Sequence, residues 1–137
     1  MAKVQAHRII TDPDPFARFN LAAGYRVGDL VYLSGLPGVT PDGAEPVSVD
    51  DFDAQAEQAF KNIEWVLSSA GSSLDQIIKV TIYLTDMGYY DKILELRERW
   101  FTPPYPADTI VEVSALAMPE LMIEIDVIAM VDGEIVG

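Results

Sequence analysis

The alternation of apolar and polar residues near the end of the chain predicts a strand over Leu121–Val131. Every second position there is apolar, as a pleated strand with one buried face requires: Ile123, Ile125, Val127, Ala129 and Val131. The opposite face carries Glu124 and Asp126 between methionine and isoleucine side chains. Carboxylates in apolar surroundings indicate a sheet surface that another subunit covers, with the charges kept at a cleft.

The same periodicity and the turn residues predict the other elements. A helix begins at Ser48 and runs to Ala70, because acidic residues fill its first turn, apolar residues recur at helical spacing, and Gly71 follows. A second helix is predicted over Tyr89–Phe101, where prolines stop it. Four more strands are predicted, at Val4–Ile10, Leu30–Gly35, Leu74–Asp86 and Ala107–Ser114.

The element order is therefore β-β-α-β-α-β-β, which predicts a single α+β domain over residues 1–137. Two amphipathic helices cover one face of a single sheet. The other face carries Tyr83, Met122, Ile128 and Met130, an apolar surface that we expect a homo-oligomer to bury.

Composition removes several classes of function. The formal charge is −13, from 22 acidic against 9 basic residues, and such a field repels phosphate backbones, so we expect no nucleic-acid partner. No apolar run approaches the roughly 20 residues of a membrane span, so no membrane partner is expected. The first residues lack the pattern of a signal peptide, and we expect a cytoplasmic protein.

The supply of catalytic residue types is also limited. The chain has no cysteine, and His7 is its one histidine, which argues against a thiol nucleophile, a serine–histidine triad and the usual zinc sites. Gly35–Gly38 lacks the lysine of a phosphate-binding loop. These absences remove most hydrolase and nucleotide-binding chemistry. An all-carboxylate Mg²⁺ site stays open, but no acidic cluster has a recognisable spacing for one, so we expect no metal.

Several segments spread over almost the whole chain resemble one known family. They comprise Val31–Gly35, the first helix with Ala56, Asn62 and Ile63, then Ala70–Gly71, Leu74–Met87, Pro106–Ala107, Val111–Val113 and Ile123–Ala129. On these residues the chain is similar to the Rid family, the reactive intermediate deaminases of the YjgF superfamily. The resemblance implies a chorismate-mutase-like fold and a homotrimer with a small-molecule cleft between each pair of subunits. It also implies hydrolysis of 2-imino or 2-enamino acids to keto acids and ammonia without a cofactor.

The resemblance also implies roles for individual residues. Glu124 corresponds to the carboxylate that positions water or moves protons. The substrate-binding candidates are the matching Ser34 and Gly35, the aromatic Tyr105, and three positions where the family's tyrosine, asparagine and cysteine are replaced, Leu21, Leu94 and Ile110.

Asp108 stands where the family has the arginine that holds the substrate carboxylate. This replacement removes the bidentate fork and changes the local charge by two units. Like charges about 4 Å apart repel by roughly 4 kcal/mol at an effective dielectric constant near 20. We therefore expect weak or no activity on imines of common amino acids.

Alternatives remain open at both carboxylates. Glu124 is either a general acid/base, its pKa raised by apolar neighbours and by Asp108, or a structural carboxylate at the subunit seam. Asp108 either binds a cationic ligand, shares a proton with Glu124, or faces water. The chain is accordingly either a deaminase-type hydrolase, with Glu124 and Asp108 as catalytic residues, or a non-catalytic trimer that binds a metabolite or a protein.

Overall fold

One sheet and two helices account for the regular structure of residues 2–137, the part of the chain that this computed structural model describes. The strands are β1 (His7–Arg8), β2 (Gly24–Val27), β3 (Leu30–Leu33), β4 (Leu36–Pro37), β5 (Ile77–Leu84), β6 (Ala107–Glu112) and β7 (Ile123–Met130). The helices are α1 (Phe52–Ser69) and α2 (Tyr90–Trp100). Short 3₁₀ turns lie at Ala17–Phe19, Leu74–Gln76 and Met87–Tyr89.

The strand order is β1-β2-β3-β7-β5-β6, and β4 also pairs with β7. Only β5 and β6 run parallel; the chain between them crosses over through α2. β7 lies in the middle of the sheet, and its predicted apolar face is buried at every second residue. The prediction of an α+β fold with one sheet and two helices is confirmed.

The core lies between the sheet and the helices. α1 begins where Asp51 accepts a hydrogen bond from the Ala54 amide. Its predicted apolar stripe is buried from Phe52 to Val66, and only Ala70 at the end of the predicted helix is partly exposed. Both helices pack on one face of the sheet, where buried residues of each join a single core cluster with β5 and β7. They also contact each other, since the Phe60 ring of α1 stacks on the Trp100 ring of α2 at 5.1 Å between centroids.

Three local predictions were wrong. The first strand pairs only over His7–Arg8, and the prediction missed β2, because Gly24 and Arg26 interrupt its apolar pattern. The strand predicted over Leu74–Asp86 begins only at Ile77, after a 3₁₀ turn, and its pairing with β7 shifts between Ile77 and Lys79.

In α2 only Ile93 is buried among the helical residues. Tyr90 and Leu94 are 40% and 50% exposed. Stacked aromatic rings and two ion pairs connect α2 to α1. The outward side of α2 leaves apolar surface uncovered.

The second face of the sheet is not covered within the chain. Tyr25 and Tyr32 are both 44% exposed there, and Val111 at the β6 edge is 37% exposed. Their backbone partners place them on the same face as Glu124 and Ile128. This face is the surface on which the expectation of an oligomer rests.

Candidate functional site

A break between β3 and β4 forms the entrance to the site. Both strands pair with β7, but three residues (33–35) lie opposite two (126 and 127), so the segment contains one extra residue. An extra residue on one side of an antiparallel pair makes a bulge that bends the strand away from its neighbour. The bulge opens the sheet beside Glu124, which pairs with Pro37 on one side and Tyr83 on the other.

Gly35 leaves room for the Glu124 carboxyl group. A Cβ atom at Gly35 would lie 3.0 Å from Cδ of Glu124 and 3.3 Å from its Oε2. Such contacts are shorter than ordinary van der Waals separations. The absence of a side chain at residue 35 therefore determines where the carboxyl group sits.

A pocket of about 270 Å³ begins at these two residues. The 3₁₀ turn after Pro15, the loop after β4, helix α1 and the loop before β7 enclose it. Its walls are mostly apolar or aromatic and include Phe16, Phe19, Leu21, Trp65, Met118 and Leu121. Among the described residues that line it, Glu124 is the one ionisable side chain.

Burial in this setting raises the pKa of Glu124, and the charge of Asp126 raises it further. No described residue donates a hydrogen bond that would offset this effect by stabilising the carboxylate. Asp126 lies two residues further along the same face of β7 and accepts a hydrogen bond of 2.9 Å from the Tyr83 hydroxyl. The result is a carboxyl group that holds its proton to a higher pH than an exposed glutamate and faces an apolar pocket.

Asp108 lies elsewhere and is not an unpaired anion. Its backbone partner is the buried Val80, so its side chain is on the helix-covered face, whereas Glu124 is on the open face. Arg97 of α2 donates two hydrogen bonds to it, from Nε at 2.9 Å and from Nη2 at 2.8 Å. The two side chains are 23% and 16% exposed, and the Arg97 guanidinium also lies over the Tyr90 ring.

This ion pair corrects two interpretations of the sequence. Within one chain Asp108 and Glu124 cannot share a proton, and the carboxylate that raises the pKa of Glu124 is Asp126. The repulsion argued for an anionic Asp108 also does not apply, because Arg97 neutralises it. Since a guanidinium from another element now occupies the region, local charge alone no longer excludes a substrate carboxylate.

The remaining candidates divide between the pocket and this ion pair. Leu21 and Gly35 line the pocket with Glu124. Ser34 does not; its hydroxyl donates to the Ala22 carbonyl at 2.6 Å and holds the bulge to the segment before β2. The other three lie near the Arg97–Asp108 pair. Leu94 is one helical turn before Arg97, and Ile110 is on the same face of β6 as Asp108. Tyr105, in the loop between α2 and β6, is 53% exposed.

Sequence reasoning missed the aromatic walls of the pocket and the partner of Asp108. Trp65 of α1 packs against the core and also lines the pocket. Phe16 and Phe19 fall in a segment broken by prolines, where no periodicity reveals which side is buried. The one signal in the sequence was an aspartate within a predicted strand. Such a residue needs a cation when it is buried, and Arg97 and Arg99 of the preceding helix were candidates for that role.

The described residues contain neither a candidate metal-binding cluster nor a helix long and apolar enough to cross a membrane. Over 2–137, no cluster of three or more histidine, aspartate or glutamate side chains could hold a metal ion. Among the same residues no helix could cross a bilayer.

Comparison with known proteins agrees with this architecture. The sequence model of the family described as "Endoribonuclease L-PSP" matches residues 9–131, nearly the whole chain. The chain belongs to this family, the Rid or YjgF family. A RutC family protein of Pyrococcus horikoshii is 36% identical over 117 residues, which cover 85% of this chain and 90% of the relative.

Two further comparisons connect the Rid family assignment to named proteins. Reactive Intermediate Deaminase A of Arabidopsis thaliana, a chloroplastic protein, is 30% identical over 128 residues, 93% of this chain and 67% of the relative. The crystal structure of the Rid protein YyfA from Yersinia pestis is 32% identical and superposes with a TM-score of 0.85, covering 93% of this chain and all of that one. The Rid fold predicted from the sequence is thereby confirmed.

Proposed function

We propose that the chain is a hydrolase of the deaminase type that converts a small imine or enamine into a carbonyl compound and ammonia. The observation that carries the proposal is the half-buried Glu124 carboxyl, with its raised pKa, at the end of an apolar pocket. A carboxyl group that is still protonated when exposed glutamates have ionised is suited to general acid catalysis. Kinship with a reactive intermediate deaminase supports this class of reaction.

The proposed reaction needs only a proton and water. Protonated Glu124 donates to the imine nitrogen, or to the β-carbon of an enamine, and an iminium ion results. Water then forms a C–O bond at the iminium carbon while the Glu124 carboxylate takes a proton from it. The same proton passes to the nitrogen of the carbinolamine, the C–N bond breaks, ammonia leaves, and the hydroxyl proton of the new carbonyl compound returns to Glu124.

We further propose that the working unit is a cytoplasmic homotrimer. The uncovered sheet face, with Tyr32 and Val111 partly exposed, supports burial against other copies. In such an assembly the Arg97–Asp108 pair of one copy would border the pocket of the next. A neutral pair attracts an anion less than an unopposed arginine does. We therefore still propose weak activity on 2-imino acids, because this attraction is missing and not because an anionic Asp108 repels the substrate.

The second candidate is a trimer that binds a ligand without turning it over. Two polar groups that a catalytic cleft would use are engaged inside the chain, Ser34 with the Ala22 carbonyl and Asp108 with Arg97. In that case Glu124 would be a structural carboxylate at the seam.

Glu124→Gln distinguishes the two candidates. The amide keeps the shape of the side chain but cannot donate and recover a proton. A hydrolase loses ammonia release by roughly a hundredfold or more while keeping its oligomeric state. If neither the wild type nor Glu124→Gln releases ammonia, and the substitution changes the oligomeric state, the second candidate is supported and the first is contradicted.

A further inference from the structure

The pocket that leads to Glu124 is built inside one chain and has polarity at only one end. Its far wall is formed by Phe16, Phe19, Trp65 and Met118, from two loops and α1. Phe19 is 50% exposed although it lines the pocket, and the Arg18 guanidinium lies over its ring, 4.7 Å from the centroid, so this aromatic wall is only partly covered. We call this far part the apolar chamber.

The other polar side chains on the lining are occupied. The Asn62 amide donates to the carbonyls of Pro37 and Val39, each at 3.0 Å, and its oxygen accepts from Gln58. The Thr40 hydroxyl donates to Asp42. Glu124 is therefore the one ionisable side chain on the lining, and no lysine or arginine of the described residues lines the pocket.

We infer that the substrate has an apolar body, a single aromatic ring or a branched alkyl group, which occupies the chamber and directs its C=N group to Glu124. The inference rests on the proposed function for the identity of the reacting group. The substrate has no carboxylate next to that group, because the charged group that the lining offers there is a carboxyl, and the Arg97 guanidinium proposed to border the pocket from a neighbouring copy is already neutralised by Asp108. The substrate class is thus a neutral or cationic hydrophobic imine or enamine.

The size of the chamber agrees with this class. A dry apolar cavity of about 150 Å³ is enough to bind benzene. The 270 Å³ pocket therefore has room for one ring and a short functional group. A three-carbon imino acid would leave most of the apolar wall in contact with water.

The product ketone tests the inference without turnover. Acetophenone, the ketone with one aromatic ring, and pyruvate, the small anionic keto acid, are titrated into the wild-type protein by calorimetry. Acetophenone is expected to bind at least about tenfold more tightly, because a ring is removed from water. Equal affinity, or tighter binding of pyruvate, overturns the inference.

Two exposed alanines of the loop before β7 provide matched variants. Ala117 lines the pocket and Ala115 does not. Ala117→Phe is expected to weaken acetophenone binding about tenfold, whereas Ala115→Phe changes it less than about twofold. Unaltered binding in Ala117→Phe contradicts the inference; if that variant does not fold, Phe19→Ala replaces it, with the same loss expected.

The two proposals fail in different ways. If acetophenone binds in the chamber but no imine is hydrolysed, the proposed function is wrong and the substrate-class inference becomes a statement about a binding site. If imines are hydrolysed at equal rates with and without an apolar body, and Ala117→Phe has no effect, the inference is wrong and the function stands.

Discussion

Gly35 and Glu124 face each other across the bulge so closely that a methyl group at residue 35 would touch the carboxyl carbon, at 3.0 Å. Gly35→Ala is therefore expected to displace the Glu124 carboxyl and to lower ammonia release about tenfold or more. The backbone at residue 35 is not among those with positive φ, so alanine is expected to leave the fold intact.

The double variant tests whether this loss acts through Glu124. In the Glu124→Gln background, Gly35→Ala should cause little further loss, because the two changes remove the same function. Additive losses, with unchanged thermal unfolding, would contradict the positioning role of Gly35.

Arg97 and Asp108 are expected to contribute to stability as a pair. Arg97→Met leaves a part-buried carboxylate without its partner and should lower the free energy of unfolding by about 1–3 kcal/mol. Arg99→Met is the matched control, because the Arg99–Glu57 pair is 58% and 40% exposed and should cost less than about 1 kcal/mol. Urea denaturation measures the loss of stability in each variant. Equal losses would show that burial of the Arg97–Asp108 pair does not add to its contribution to stability.

The same pair also predicts a gain of anion binding. Asp108→Asn removes the neutralising charge and leaves the Arg97 guanidinium available, so pyruvate is expected to bind about tenfold more tightly than to the wild-type protein. Asp53→Asn is the control, because it frees Lys92 from an exposed pair on the helices. Calorimetric titration decides; an unchanged affinity would place Arg97 outside the cleft.

The sequence predicts the regular elements of the fold better than it predicts the contacts that form the site. Strand β7 and helix α1 carry long, regular periods, and their buried residues follow from the sequence. The Arg97–Asp108 pair joins an exposed-looking helix residue to an edge strand, and no local pattern records that contact. The pocket is formed by loops that meet only because the chain bulges at 33–35, so its aromatic walls could not be located from spacing.

Glu124 should make folding depend on pH. Its pKa in the folded protein is raised by burial and by Asp126, so the folded state binds the proton more tightly than the unfolded chain does. The resulting stabilisation is complete below the pKa of the unfolded chain and is lost as the pH rises through the folded pKa.

Glu124→Gln should therefore be more stable than the wild type near neutral pH and lose that advantage in acid. We expect less than about 1 kcal/mol, since the half-buried carboxyl is partly screened by water. Urea denaturation at several pH values measures the difference, with Glu45→Gln as the exposed control. An advantage that grows in acid would reverse the assigned direction of the pKa shift.

The proposed homotrimer, which would bury the open sheet face, should have a mass of about three times 15.1 kDa. Val111→Lys places a charge on that face and should shift the protein towards smaller species in light scattering. Val49→Lys, at a residue 68% exposed in the loop before α1, should not. A wild-type protein that remains monomeric at micromolar concentration would contradict the trimer.

The pH dependence of turnover tests the central claim, that Glu124 acts as a proton donor. With a neutral aromatic ketimine, and after subtraction of the spontaneous rate, we predict that ammonia release declines as the pH rises through the raised pKa of Glu124. The residual rate of Glu124→Gln should lack this decline. A rate that increases with pH over that range, or the same profile in both proteins, would contradict the account.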